Sequence, residues 1–266
     1  MEVIALAEEH LGIILDEGKI TAKTTVRELK QMFTNSAIIA EVKLPAWPFT
    51  KIGEWLHLLS IKYFLAPLHS FVIKIKYPQK QIPYIKPGSI IIFNHPGILD
   101  GVCVVRTLLR QNSSLMVTNS GAYFWTDKTM FAHPLELFVG GIPLYDSGHK
   151  LMKVLQTDSD LMERGYNLLF APQGGLQTSR EEKPFKLGIG YIIQQLDCPV
   201  HIIKIEGYFD IWPVPAKGFE NCGFIDFLPR KRGAVSVKVS AEIKHEWQNM
   251  TPIQVTNLLE EKYRDL

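Results

Sequence analysis

Cysteine is scarce in this chain of 266 residues: there are three, at positions 103, 198 and 222, and no Cys-x-x-Cys pair. That spacing argues against a disulfide framework and a zinc site, and it fits a reducing, cytoplasmic compartment. Excess charge is equally scarce, with a net +2 from 29 basic and 27 acidic side chains. So even a balance gives no overall field for nucleic acid, and no nucleic-acid partner is expected. Neither Gly-x4-Gly-Lys-Ser/Thr nor Gly-x-Gly-x-x-Gly occurs, and no Gly-x-Ser-x-Gly elbow marks a serine nucleophile. Long apolar runs are missing too. The best candidate span, Trp55 to Val72, is broken by His57, Lys62, Pro67 and His69. The opening Met-Glu-Val-Ile has no basic n-region or cleavage site, so no secretory signal is expected.

What is present describes a globular chain with a large core, at 46% hydrophobic and 21% charged residues. The length suits one large domain plus a small appendage. Residues 1–36 read as a small helical segment, a linker ends at Trp47-Pro48, and the main domain spans 45–266. An apolar helix with basic punctuation is expected from about Phe49 to Leu68. Phe71, Ile73, Ile75 and Tyr77 then alternate with Lys74 and Lys76, the pattern of a half-buried strand. Further strands are expected at Ser89–Phe93, Leu115–Thr118, Gly141–Tyr145, Asn167–Ala171, Val200–Glu206 and Ala234–Ser240. Helices are expected at Asp100–Arg110, Gly148–Arg164, Lys186–Leu196 and Pro252–Tyr263. The alternation predicts an α/β fold, a mixed central sheet of about seven strands flanked by helices.

Ile90-Ile91-Ile92-Phe93-Asn94-His95-Pro96-Gly97-Ile98-Leu99-Asp100-Gly101 is the most informative stretch. A buried strand runs into a sharp turn, and His95 and Asp100 face each other across it. If Pro96 and Gly97 fold the turn back, Asp100 holds the imidazole ready to take a proton from a hydroxyl or amine. Asp100 is equally a good helix N-cap, with His95 an ordinary turn residue, and the pair alone leaves both readings open. A second strand, Leu168-Leu169-Phe170-Ala171, enters the turn Pro172-Gln173-Gly174-Gly175, whose backbone N–H groups suit a phosphate or an oxyanion. Pro184-Phe185-Lys186-x-Gly188 and Cys198-Pro199-Val200-His201-Ile202-Ile203 follow.

In this order and spacing the blocks resemble the glycerolipid acyltransferase family that includes the lysophosphatidate acyltransferases. That family carries Asn-His-x4-Asp, Gly-Ile-x-x-x-Asp-Arg, Phe-Pro-Glu-Gly-Thr-Arg-Ser, Phe-Lys-x-Gly and a Pro-Val-x-Pro-Val strand. The resemblance covers roughly Trp47 to Trp247. It implies His95 and Asp100 as catalytic residues, with Asn94, Gln173, Gly174, Gly175, Lys186 and Gly188 at the substrate. It also implies an acyl thioester donor (acyl-CoA or an acyl-carrier protein), a lipid hydroxyl such as that of a lysophospholipid as acceptor, and no bound cofactor or metal. Two blocks depart from the pattern. Ser147 stands where the family has Arg; Gln173 replaces Glu and Leu176 replaces Arg. A charge-assisted hydrogen bond contributes roughly 1.5–3 kcal/mol, so a glycerol-phosphate acceptor loses support at these positions. Arg180, Lys183 and Lys186 are the nearest replacements in sequence.

Ala5-Leu6-Ala7-Glu8-Glu9-His10-Leu11-Gly12-Ile13, with Thr24-Thr25-Val26-Arg27-Glu28-Leu29, resembles the second half of an acyl carrier protein that lacks the Asp-Ser-Leu bearing phosphopantetheine. Similar arrangements occur in fusions of an acyl-activating synthetase, a carrier and an acyltransferase, which makes a synthetase or carrier a partner to expect. Trp47, Trp55, Leu58, Leu59, Tyr63, Phe64 and Leu65, interleaved with lysines, fit a helix lying in a membrane surface, and fit a helix packed over the sheet equally well. A peripheral position on the inner face of a membrane is the expectation. A catalytically degenerate relative that binds lipid or carrier is the competing reading, with a thioesterase as a third.

Overall fold

The chain is described by a computed structural model over residues 27, 49–97, 99–111, 116–121, 141–144, 148–215, 226 and 228–266. The carrier-like segment 1–36, apart from the helical Arg27, lies outside the described residues, as do Trp47, Ile98, Tyr145, Asp146, Ser147 and Cys222. Helix α1 (Lys51–Ser60) starts at Thr50, whose hydroxyl accepts the Gly53 N–H at 3.2 Å. It runs through a π turn (Ile61–Leu65) into α2 (Ala66–Val72). This helix is longer than the expected 49–68. Leu68 and Phe71 also fit helical spacing, and the helix claims Phe71 before strand β1 (Ile73–Lys76) begins.

Thereafter come β2 (Ile90–Phe93), α3 (Gly101–Arg110), β3 (Met116–Gly121), β4 (Gly141–Leu144), α4 (Gly148–Glu163), β5 (Asn167–Phe170), α5 (Gly188–Leu196), β6 (Val200–Glu206), β7 (Gly233–Val239) and α6 (Pro252–Asp265). The expected start of α5 at Lys186 shifts to Gly188, because the Lys186 N–H bonds the Pro172 carbonyl at 2.8 Å. The strand order is β1-β7-β6-β2-β5-β3-β4. Its mixed part is the five strands β1, β7, β6, β2 and β5, in which β6 and β7 are antiparallel and the other pairs parallel. All seven strands belong to one hydrogen-bonded sheet. β3 and β4 join in parallel beyond β5 and add no antiparallel pairing.

β2 lies at the centre, and all four of its residues are buried. A strand covered on both faces needs a continuous apolar run rather than alternation, which Ile90-Ile91-Ile92-Phe93 supplies. Ile90 and Ile92 enter one core with α4, α5 and α6; Ile91 and Phe93 enter the other with the π turn, α3 and β7. Just past β2, the Asn94 amide donates to the Ile205 carbonyl at 2.8 Å and accepts the Ile205 N–H at 2.7 Å. It thereby extends the β2–β6 ladder by one side chain and fixes where the chain leaves the sheet. Asn94→Leu strands two buried backbone groups at roughly 1–3 kcal/mol each. A clearly lower thermal midpoint in differential scanning calorimetry is the expected outcome.

Candidate functional site

β2, β5 and β6 are parallel neighbours, so their C-terminal ends open at one edge of the sheet, where crevices form in α/β folds. His95 stands two residues beyond β2. Its Nδ1 lies 2.8 Å from Asp100 Oδ1 and 2.9 Å from Oδ2. Asp100 Oδ2 also accepts the Gly97 N–H at 2.9 Å. The Asp100 side chain is 0% exposed while His95 is 30% exposed, so the carboxylate is sealed behind a ring that reaches the surface. Asp100 occupies the N-cap position of α3 yet makes no side-chain cap bond. The capping alternative is thus displaced by the imidazole.

The turn folds back by a route other than the expected one. The positive φ belongs to Leu99, at 58°, a conformation uncommon for a branched residue and of the kind found at strained functional turns. Gly97 is needed for space instead. A Cβ there would collide with the Trp212 carbonyl and lie 2.9 Å from Tyr208 Cδ1.

The second turn docks on the first: the Gln177 N–H bonds the His95 carbonyl at 2.8 Å. Gly174 has φ +72, and its N–H is taken by the Ala171 carbonyl at 3.1 Å. The Lys186 side chain lies across it, with Nζ 2.7 Å from where a Gly174 Cβ would stand. At Gly174 the positive group is therefore an ammonium, where the sequence suggested a free amide. Gly175 and Gly188 border open space. Gln173 is buried and bonds the Tyr263 phenol, which donates to Glu182 at 2.7 Å. Asn94 is committed to Ile205. The three cations downstream divide: Arg180 pairs with Asp210 at 2.6 Å, Lys183 is exposed, and Lys186 alone lies on the glycine turn.

Sequence reasoning missed a buried group behind this edge. His69 of α2 is 1% exposed, with Nδ1 2.9 Å from Arg106 Nη1 and Nε2 3.3 Å from the Tyr208 hydroxyl. Burial first, then the Arg106 guanidinium, pulls its pKa down to about 3, so it is neutral near pH 7. The available signal was spacing: Gly53, His57, Ile61 and His69 recur on one helical face, and that face is the buried one. Among the described residues, no cluster of three or more His, Cys, Asp or Glu side chains is placed to hold a metal ion.

A family model described as Acyltransferase matches residues 73–206, just over half of the chain, from the first residue of β1 to the last of β6. The chain belongs to the acyltransferase family. The matched span contains His95, Asp100, the glycine turn and Lys186. Among solved structures, the chain is similar in fold to the 1-acyl-sn-glycerophosphate acyltransferase PlsC from Thermotoga maritima. The TM-score is 0.50 at 13% identity, covering 80% of this chain and 75% of that one. A search of curated proteins gave no match.

For an acyltransferase built this way, Asp100→Asn tests the pair most cleanly. An amide matches the carboxylate in shape but offers the ring no negative charge and presents a donor that favours the wrong tautomer. A fall in kcat of about 10²–10⁴, with the circular-dichroism spectrum unchanged, is the expected outcome.

Proposed function

We propose that this acyltransferase moves a fatty acyl group from a thioester to a lipid hydroxyl at a membrane surface, with His95 as general base. The observation that supports it is the double contact of His95 Nδ1 with a fully buried Asp100. Nδ1 then holds the proton, and Nε2 carries the lone pair. In the reaction Nε2 takes the proton of the acceptor hydroxyl as its oxygen attacks the thioester carbon. The tetrahedral adduct collapses, the C–S bond breaks, and the imidazolium returns its proton to the departing thiolate. Asp100 stabilises the imidazolium while it exists. A base so placed contributes about 10²–10⁴ in rate.

Lys186 is the group we assign to an anionic headgroup or to the developing oxyanion. It lies on Gly174, and the three-residue step from Gly174 to Gln177, whose N–H holds the His95 carbonyl, spans at most about 10 Å. One ammonium, with Gln173 neutral and turned to Tyr263, suits a lysophospholipid or related acceptor carrying less negative charge than a free phosphate monoester.

The membrane enters through α1 and α2. Their histidines and Gly53 face inward, while Ile52, Trp55, Tyr63, Phe64, Leu68 and Phe71 are each at least 59% exposed. That orientation is the reverse of a helix that covers a sheet in water. Lys51 and Lys62 stand among these side chains, and the Arg232 guanidinium lies 3.5 Å over the Phe71 ring. An apolar face rimmed by cations suits a bilayer containing anionic lipid, entered peripherally. Among the described residues, no helix is long and apolar enough to cross a membrane. Vesicles of phosphatidylglycerol and phosphatidylcholine should float with the wild type, and a Trp55→Glu/Phe64→Glu double variant should stay at the bottom of the gradient.

Thiol release tests the chemistry, using acyl-CoA and acyl-carrier donors with a lipid extract as acceptor. Wild type and His95→Ala are run side by side, and the lipids are read by mass spectrometry. Release that needs His95 and yields a new acylated lipid is expected. Release without a new lipid would indicate a thioesterase. No His95-dependent release with any donor would sink the reading and leave a lipid- or carrier-binding relative.

A further inference from the structure

We propose that His69 and Tyr208 are positioning residues for the His95–Asp100 pair, through which the surface helix supports the catalytic turn. The proposal rests on reading His95 as the base.

The contacts form an unbroken path. Arg106 of α3 reaches both His69 Nδ1 and the Ile73 carbonyl, each at 2.9 Å from Nη1. A guanidinium only donates, so Nδ1 must accept, and the proton of the neutral ring sits on Nε2. Nε2 then donates to the Tyr208 hydroxyl at 3.3 Å, and the two rings stack at 6.0 Å. Trp212 also stacks on His69, at 6.4 Å. The Tyr208 ring and the Trp212 carbonyl press on Gly97, and Gly97 supplies the N–H that fixes Asp100 Oδ2 at 2.9 Å. The order of support is therefore α2, His69, Tyr208, Gly97, Asp100, His95.

Core packing does not account for these choices. An imidazole and a phenol in the interior, beside a half-buried guanidinium, cost desolvation that aliphatic side chains of similar volume would avoid. Their directional bonds define where Tyr208 stands, and Tyr208 defines how close the turn comes to β6. The low pKa of His69 keeps its ring neutral near pH 7, and the Arg106 donor selects its tautomer. Helix α1 is anchored at its other end, where Glu54 accepts from Arg164 and Tyr166 at 2.5 Å each. The apolar outer face and the path to the dyad thus belong to one fixed helix, with Leu68 and Phe71 exposed beside the buried His69. A misplacement of the base by about 1 Å is enough to cost 10²-fold in rate.

The test measures kcat, KM and thermal midpoint for wild type, His95→Ala, Tyr208→Phe, His69→Gln and His69→Leu, with an acyl-CoA donor and lysophospholipid vesicles. Tyr208→Phe keeps the ring on Gly97 and removes the hydroxyl that His69 orients. Its kcat should fall about tenfold to 100-fold, with acceptor KM within about twofold of wild type and the enzyme still folded at the assay temperature despite a lower thermal midpoint. Glutamine at 69 can accept from Arg106 and donate to Tyr208, so His69→Gln should recover most of the rate that His69→Leu loses. Wild-type kcat in Tyr208→Phe, or equal rates for the Gln and Leu variants, would overturn the proposal. Transfer in the wild type that ignores His95 would overturn the reading of the site itself, and this proposal with it.

Discussion

The site depends on the buried carboxylate of Asp100. The Asp100 carboxylate is 0% exposed, and a carboxylate moved out of water without compensation costs several kcal/mol. Its compensation comes from the His95 imidazole and the Gly97 N–H. Each requires the chain between residues 95 and 100 to curl tightly, and the αL conformation of Leu99 and the bare Cα of Gly97 are the consequences. The same curl explains why Asp100 heads α3 without capping it. A carboxylate turned towards the ring cannot also serve the first N–H groups of its helix.

From that pair the rest of the edge follows. Asn94 ties the exit of β2 to β6, and the Gln177 N–H ties the glycine turn after β5 to the His95 carbonyl. Three strand ends are thereby locked around one partly exposed imidazole. The ammonium of Lys186 rests on the neighbouring turn, and an outward-facing apolar helix runs along the side where His69 is buried. In the proposed reaction these serve as base, cation and lipid-facing surface.

Much of this was legible in the chain itself. Ile90 to Phe93 announced a strand buried on both faces, whereas the spacing of His95 and Asp100 across a Pro-Gly turn left pairing and helix capping both open. Other features were hidden for definite reasons. Periodicity places Phe71 equally well in a strand and in a helix, and only the continuation of α2 decides between them. A glycine in a turn suggests unusual φ, whereas Gly97 answers to a carbonyl 115 residues further along the chain, at Trp212. Gln173 was implied at the substrate by the family block in which it stands, and its bond to Tyr263 of the last helix could not be read from that block. His69 looked like an interruption of an apolar run because hydropathy does not reveal which face of a helix is buried.

The central claim is that Asp100 fixes the His95 tautomer so that Nε2 carries the lone pair. Histidine-labelled ¹⁵N NMR of the folded enzyme at a pH where the ring is neutral measures this directly, with Asp100→Asn to assign the resonance. The account predicts a protonated, pyrrole-type Nδ1 and a bare, pyridine-type Nε2 for His95. A protonated Nε2, or rapid exchange between the two tautomers, would contradict it.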